Sequence, residues 1–338
     1  MTRLTEAVCA LLLSSPALAQ STVDLQFDEA TASKLGIDTV EAENEIRNVL
    51  DEQLRAYDIA GFLTSMADAG GIAGKGIGVD YATNPKDFVF GISVGTGANA
   101  SGFVFGRGDT LLPEAGFALQ ASMMGGINLG LLTKSDDPTF LDRVVVTAHG
   151  LGFNGAQREF QGSMYNFGGH VQVKVIGKAG VGLFEWGGLD VTSGFERVRY
   201  KLALSRPLPL TTTLEDGNEL GWDATGTYSI SVTDDSIPLE LSTNLRISVV
   251  SLFFGGAGDW HTGSALAMAN LDGPVTGSAG EQVGSARLTI SADQPATPFS
   301  YRFFTGLQIN VLPVKVYAQI NVASTQSVGA HAGIRFAM

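Results

Sequence analysis

Phe117-Ala118-Leu119-Gln120-Ala121-Ser122-Met123-Met124-Gly125-Gly126-Ile127-Asn128-Leu129-Gly130-Leu131 decides the fold, because every odd position in it is apolar or Gly. The even positions are small, polar or Gly, apart from Met124. Period two is the signature of a strand with two unlike faces, and about fifteen residues is much longer than the five or six usual in a soluble sheet. A tilted strand crosses a bilayer in ~9–11 residues, with an uncharged outer face and small polar groups within. The stretch therefore predicts one wall strand of a transmembrane barrel.

Composition agrees. Charged residues make up 16% of the chain, against ~25% in soluble domains. Among the 338 residues are 43 glycines, more than the ~7% expected. Beyond the N-terminus, the stretch nearest to a membrane helix, Ile247 to Phe254, is short and broken by Ser248 and Ser251, so no membrane helix is read from the sequence. A spanning structure must then be a closed sheet, since lipid offers no partner to unpaired backbone groups. The net charge of −13 excludes nucleic acid as a natural partner and disfavours anionic membrane surfaces.

At the N-terminus, Arg3, the apolar run from Ala7 to Leu13 and Ala17-Leu18-Ala19 together read as a secretory signal peptide over residues 1–19. The single cysteine, Cys9, lies inside it. The mature chain from Gln20 therefore has no disulfide, and no lipidation cysteine follows the cleavage point.

Residues 20–70 are read as a helical segment, either a plug in the barrel or a periplasmic cap. Asp38 is the expected N-cap, with Glu41 three residues on and Val40, Ile46, Val49, Leu50, Leu54 and Tyr57 at helical spacing. A second amphipathic piece, Ile59 to Ala69, is expected to end at Gly70-Gly71.

Residues 71–338 read as the barrel. Phe88, Phe90, Ile92 and Val94 share a face, as do Val171, Val173 and Val175 opposite His170, Gln172 and Lys174. Trp222 to Val232 alternate with polar residues up to Asp234-Asp235, which suggests a turn into Ile237, Leu239, Leu241, Leu245 and Ile247. The apolar phase also switches between Leu189–Phe195 and Val198–Leu204, implying a bulge or turn near Glu196. Leu312-Pro313 joins two long strands as a periplasmic turn does, whereas 97–114, 133–139, 206–220 and 256–284 resemble external loops. The last strand keeps Val328, Ala330, Ala332, Ile334, Phe336 and Met338 on one face, a tail resembling the signal read by the barrel insertion machinery.

The expected fold is thus all-β: a transmembrane antiparallel β-barrel of about 12–14 strands with an N-terminal α-helical segment, in the bacterial outer membrane. A soluble secreted barrel or sandwich has the same periodicity with the faces exchanged. Against it stand polar faces of Gly, Ser, Thr, Asn and Gln rather than Lys and Glu, and aromatic residues recurring near strand ends.

Functional motifs are few. Gly91-Ile92-Ser93-Val94-Gly95 matches a nucleophile elbow but lies inside an alternating strand. Gly150 to Gly155 matches a dinucleotide fingerprint with no following helix. His149, His170, His261 and His331 have no metal-ligand spacing. A barrel hydrolase would pair His170 or His331 with an inward serine, which either could do geometrically, but a sequence does not show such groups converging, so no enzyme activity, catalytic residue, metal or cofactor is assigned. The lumen candidates are Lys174, Glu240, Arg246, Arg302, Lys315 and Arg335, placed to select small solutes or to pair with one another. Arg107-Gly108-Asp109, a cell-attachment tripeptide in an expected loop, is the candidate for a host surface ligand. Outer-membrane lipids are the remaining expected partner.

The helical prelude followed by Ala73-Gly74-Lys75-Gly76-Ile77-Gly78-Val79-Asp80-Tyr81-Ala82 resembles the surface-protein family typified by the 36-kilodalton leptospiral surface adhesin, over about residues 40–130. The resemblance implies a surface-exposed barrel with adhesive roles, and the missing lipidation cysteine departs from the family's lipoprotein members. A helical plug ahead of a barrel also resembles the long-chain fatty-acid transporters of outer membranes. Two functions follow for test: a channel or transporter for small solutes, or a surface adhesin or structural barrel sealed by its own residues.

Overall fold

The computed structural model describes residues 20–28, 59–82, 85, 87–100, 115–133, 137, 139–213, 219–277, 280–311 and 313–338, with Asp38, Val40 and Asn44. The expected signal peptide, the helix positions Ile46 to Tyr57 and Arg107-Gly108-Asp109 lie outside these residues.

Among them, 13 strands form one antiparallel sheet. In chain order they are β1 (Gln20–Phe27), β2 (Phe88–Ala100), β3 (Ala115–Asn128), β4 (Val144–Gln157), β5 (Phe160–Ile176), β6 (Ala179–Val181), β7 (Phe184–Thr213), β8 (Glu219–Ile247), β9 (Val250–Thr276), β10 (Gln282–Pro295), β11 (Phe299–Val311), β12 (Val314–Ala323) and β13 (Ser327–Ala337). A single helix, α1, covers Ile59–Ala73. The pairings run β9–β11–β12–β13–β2–β3–β4–β5–β7, and β8 pairs with both β7 and β9, so the circuit closes into a barrel.

The face assignment holds. Along β3, Phe117, Leu119, Met123 and Ile127 are exposed, whereas Ala118, Gln120, Ser122, Met124 and Asn128 are buried. Phe90, Ile92 and Val94 likewise point outward. An apolar exterior around a polar, buried interior belongs in lipid, so the chain is a bacterial outer-membrane β-barrel and the soluble alternative is set aside. The strand ends at Asn128, however. Leu129–Leu132 form a 3-10 turn in which the Asn128 side chain accepts a hydrogen bond from Gly130, so the outward phase of Leu129 and Leu131 continues no strand.

Strands β7, β8 and β9 are 30, 29 and 27 residues long, far beyond the ~9–11 needed to span. Their extra length explains the two phase switches. β8 is continuous, with no turn at Asp234-Asp235. Even residues face inward throughout: Trp222, Ala224 and Val232, then Asp234, Ser236, Glu240 and Asn244 are all buried. What changes is the chemistry of each face. In the membrane band the outside is Ile237, Leu239 and Leu241, and the inside is polar. Beyond it the exposed face is Asp223 and Thr225, while Trp222 and Leu220 pack inward with Leu271, Val275 and Leu288 in a separate apolar core. The switch on β7 is the same boundary: the β7–β8 register runs unbroken from Leu189 to Thr213, and the irregularity falls between Trp186 and Leu189 instead of at Glu196. Phe167 and Phe195, flanking Arg197 paired to Asp235, mark that level as an aromatic girdle.

Other boundaries move with this. Residues expected as the loops 206–220 and 256–284 largely belong to β7, β8, β9 and β10, whose Gly and Asp content suits a hydrated outer face. Thr133 and Thr139, which bound the external loop expected at 133–139, lie at the opposite end, with the Pro313 turn and the C-terminus: Ala337 N–H donates to Pro313, Asp87 N–H to Met338 and Asn128 N–H to Asp87. Short turns at one end and long hairpins at the other match periplasmic and extracellular sides. The 20–70 segment is not wholly helical, since β1 pairs with β10 along its whole length. The barrel wall starts at Phe88 rather than residue 71.

Candidate functional site: the occupied lumen

Helix α1 lies within the ring. Leu63, Met66, Ala67, Ala69 and Ala73 are buried against Ala118, Val198, Tyr200, Val232 and Ala265 of four wall strands and Ala292 of β10. It does not stop at Gly70-Gly71, as expected from sequence, because those glycines serve contact instead of termination. A Cβ at Gly70 would stand 2.8 Å from Val232 Cγ1. Upstream, Asp38 accepts a hydrogen bond from the Val40 N–H, as its expected capping role requires. On α1, Asp68 accepts from the Thr297 N–H and hydroxyl, both at 2.9 Å.

From α1 the chain turns at Gly76, whose φ of +83° favours glycine, and descends the lumen to β2. Wall side chains hold its backbone at each step: Asn321 donates to the Lys75 carbonyl (3.4 Å), Arg335 to Val79 (2.5 Å), Gln172 to Asp80 (3.3 Å), Asn244 to Tyr81 (3.1 Å) and Asn128 to Pro85 (2.9 Å). Its side chains are held as well. Lys75 Nζ meets Glu196 at 2.8 Å and Asp259 at 3.8 Å, and donates to Ser236. Tyr81 donates to Glu240 at 2.7 Å and packs against Phe253 and Phe304. Residues 59–82, with Pro85 and Asp87, thus mark a course through the barrel from its projecting end to its short-turn end.

The lumen candidates divide into those inside this network and those beside it. Arg302 joins Asp259 (2.8 Å), Glu240 and Asn321 (3.0 Å), and is completely buried. Arg335 lies 3.4 Å from Asp80 and stacks over Tyr317, 3.7 Å from the ring centroid. Lys174 pairs with Asp190 at 3.0 Å on the adjacent strand, and Lys315 is buried on β12. Arg246 departs from expectation: it is half-buried at the short-turn rim, and its Nε donates to the Ser248 carbonyl. The residues that complete the network, Lys75, Asp80, Glu196 and Asp259, were not singled out from sequence. Inward parity reaches Glu196 and Asp259, whereas nothing local marks Lys75 and Asp80 as lumen residues.

Neither His170 nor His331 is hydrogen-bonded to a serine among the described residues. His170 meets Glu196 at 3.1 Å and stacks with His149, and His331 is buried on β13. The histidine that faces a serine is His261, beside Ser300.

The family model described as Lsa36-like matches residues 17–338. The chain belongs to the Lsa36-like family. No curated protein matches it. Among solved structures it is similar to the outer-membrane protein Omp33 of Acinetobacter baumannii (10% identity, 75% of this chain and 100% of that one, TM-score 0.25). It is also similar to the toluene transporter TbuX of Ralstonia pickettii (9%, 83% and 99%, TM-score 0.26) and the outer-membrane protease OmpT of Escherichia coli (11%, 75% and 97%, TM-score 0.35). These superpositions are too shallow to carry an argument, so the fold of this Lsa36-like chain rests on its own strand pairings and the two chemistries of its faces.

Proposed function

We propose that this protein is a self-sealed outer-membrane barrel that works through its projecting end as a surface-binding or structural protein, not as an open pore. The observation that carries the reading is the course of residues 59–82, which occupy the lumen and are tied to its wall by both backbone and buried charges. Charges so paired are lumen structure instead of a solute pathway. Strands β7 to β10 supply the presented surface, with exposed polar residues such as Asp223 and Thr225 over an apolar core. Outer-membrane lipids would surround the apolar band, the insertion machinery would read β13, and an extracellular macromolecule would meet the projecting hairpins. The channel or transporter reading requires residues 59–82 to leave the lumen, exposing Glu196, Glu240 and Asp259 to new partners. Liposome swelling in small sugars separates the two. The sealed barrel gives no swelling above empty vesicles, and rapid swelling would overturn the proposal in favour of solute passage.

A further inference from the structure

The outward face of β7 turns cationic just beyond the membrane band. Phe195 and Arg197 stand at the girdle, where the Arg197 guanidinium lies 5.8 Å from the Phe195 ring centroid and 5.7 Å from that of Phe167, and is paired with Asp235. Arg199 and Lys201 follow at the same parity, and both are exposed. At ~3.3 Å per residue and a tilt of ~35–45°, they stand about 5 and 10 Å beyond the girdle, where hydrocarbon has given way to headgroups. The projecting end is the extracellular one, so these are headgroups of the outer leaflet. Register sets what surrounds the two cations. Arg199 lies between Tyr165 of β5 and Thr233 of β8, and Lys201 between Ser163 and Ser231. Hydroxyl groups flank both, no carboxylate stands at these register positions, and neither cation makes an ion pair among the described residues. The contrast is Arg287, exposed on β10, which is paired with Asp272 at 2.9 Å.

We infer that Arg199 and Lys201 hold the phosphate groups of a phosphorylated glycolipid of the outer leaflet, with its sugar in the recess beside Lys201. That recess has a volume of about 450 Å³, within the ~300–1,000 Å³ of small-molecule sites. Asn154, Gln161, Ser163 and Lys201 line it together with small Gly and Ala residues. Asn154 pairs with Ser163 across β4–β5, and Ser163 with Lys201 across β5–β7, so one outward row carries an amide, a hydroxyl and an ammonium. Amides and hydroxyls suit the hydroxyls of a sugar, and the guanidinium and ammonium suit phosphate. Charge commits the patch to an anion, because two unpaired cations on a chain of net charge −13 are a local reversal of its average. Level commits it to a lipid. Phe195 and Val171, exposed on the same faces of β7 and β5 but nearer the membrane centre, give acyl chains an apolar surface directly below the cations. The site works whether or not the lumen is sealed, and all its groups stand on wall strands, where position is held more firmly than on loops.

The test uses the full mature chain, folded in a neutral detergent and checked by its heat-dependent gel shift. Native mass spectrometry reads complex formation as diphosphorylated lipid A, an acylated glucosamine disaccharide, is titrated in. The expected result is a one-to-one complex. It is weaker by about 10-fold or more in the Arg199→Gln/Lys201→Gln double variant and with lipid A stripped of both phosphates, and unchanged in Arg287→Gln. Inorganic phosphate at equal concentration should not displace the lipid, because the acyl chains contribute to its hold. Equal affinity of the wild-type chain for phosphorylated and dephosphorylated lipid overturns the inference, and that comparison needs no variant to fold. Equal affinity in the folded double variant overturns it as well. Displacement by inorganic phosphate reassigns the patch to a free anion, and a heparin oligosaccharide held more tightly than lipid A through Arg199 and Lys201 reassigns it to an extracellular polyanion. Either result removes the lipid as occupant.

Discussion

Arg302 illustrates what single residues do in this barrel. It neutralises Asp259 and Glu240 while itself fully buried. Removing one partner from a buried ion group leaves the others uncompensated at ~3–5 kcal/mol. Arg302→Met should therefore lower the unfolding free energy of the barrel, read from urea titration, by an amount in that range, and a change below ~1 kcal/mol would show that water or Lys75 already satisfies the carboxylates. On the outer surface the relevant residue is Met123, exposed in the middle of the β3 lipid face. Met123→Arg should cost ~2–4 kcal/mol of folding into bilayers, and Met123→Leu close to none. Equal costs would contradict the orientation. Arg302, Lys315 and Arg335 were legible in the sequence because strand parity alone turns them inward. Lys75 was not, because its burial comes from long-range threading of a segment with no period of its own.

At the scale of elements, β7 and β8 show both the reach and the limit of pattern reading. Alternation placed Leu189–Leu204 and Trp222–Val249 in strands, yet each switch of apolar phase suggested a break in the chain and the outer part of β7 was read as loop. The backbone is continuous and the solvent changes: the same inward parity is polar inside the membrane band and apolar beyond it. Periodicity reports which residues share a face, but not what lies opposite that face. This makes a topological prediction, easily read because the mature chain has no cysteine. Thr225→Cys, on the exposed face of the projecting half of β8, should react with a membrane-impermeant maleimide on intact cells. Val181→Cys, 88% exposed at the short-turn end, should react only after the outer membrane is opened. The reverse pattern would invert the assigned orientation. The long hairpins escaped sequence reading because Gly and Asp, common in loops, also suit a sheet face that meets water.

For the whole molecule, closure of the ring and its occupation by residues 59–82 are the two defining facts. A closed sheet keeps its backbone pairs until heated, so the folded protein should migrate faster unboiled than boiled in detergent gels. A mobility unchanged by boiling contradicts the barrel. Both the barrel class and a helical segment ahead of it were legible in the sequence. Whether that segment plugged or capped the barrel was not, since the choice depends on the inner walls of strands far away in the chain. Single-channel recording in planar bilayers tests the sealed lumen most directly. The intact protein, with its gel shift verified, should insert without conductance steps, and a variant lacking residues 59–82 should produce them if its wall still closes. Stable ohmic steps from the intact protein would contradict the account.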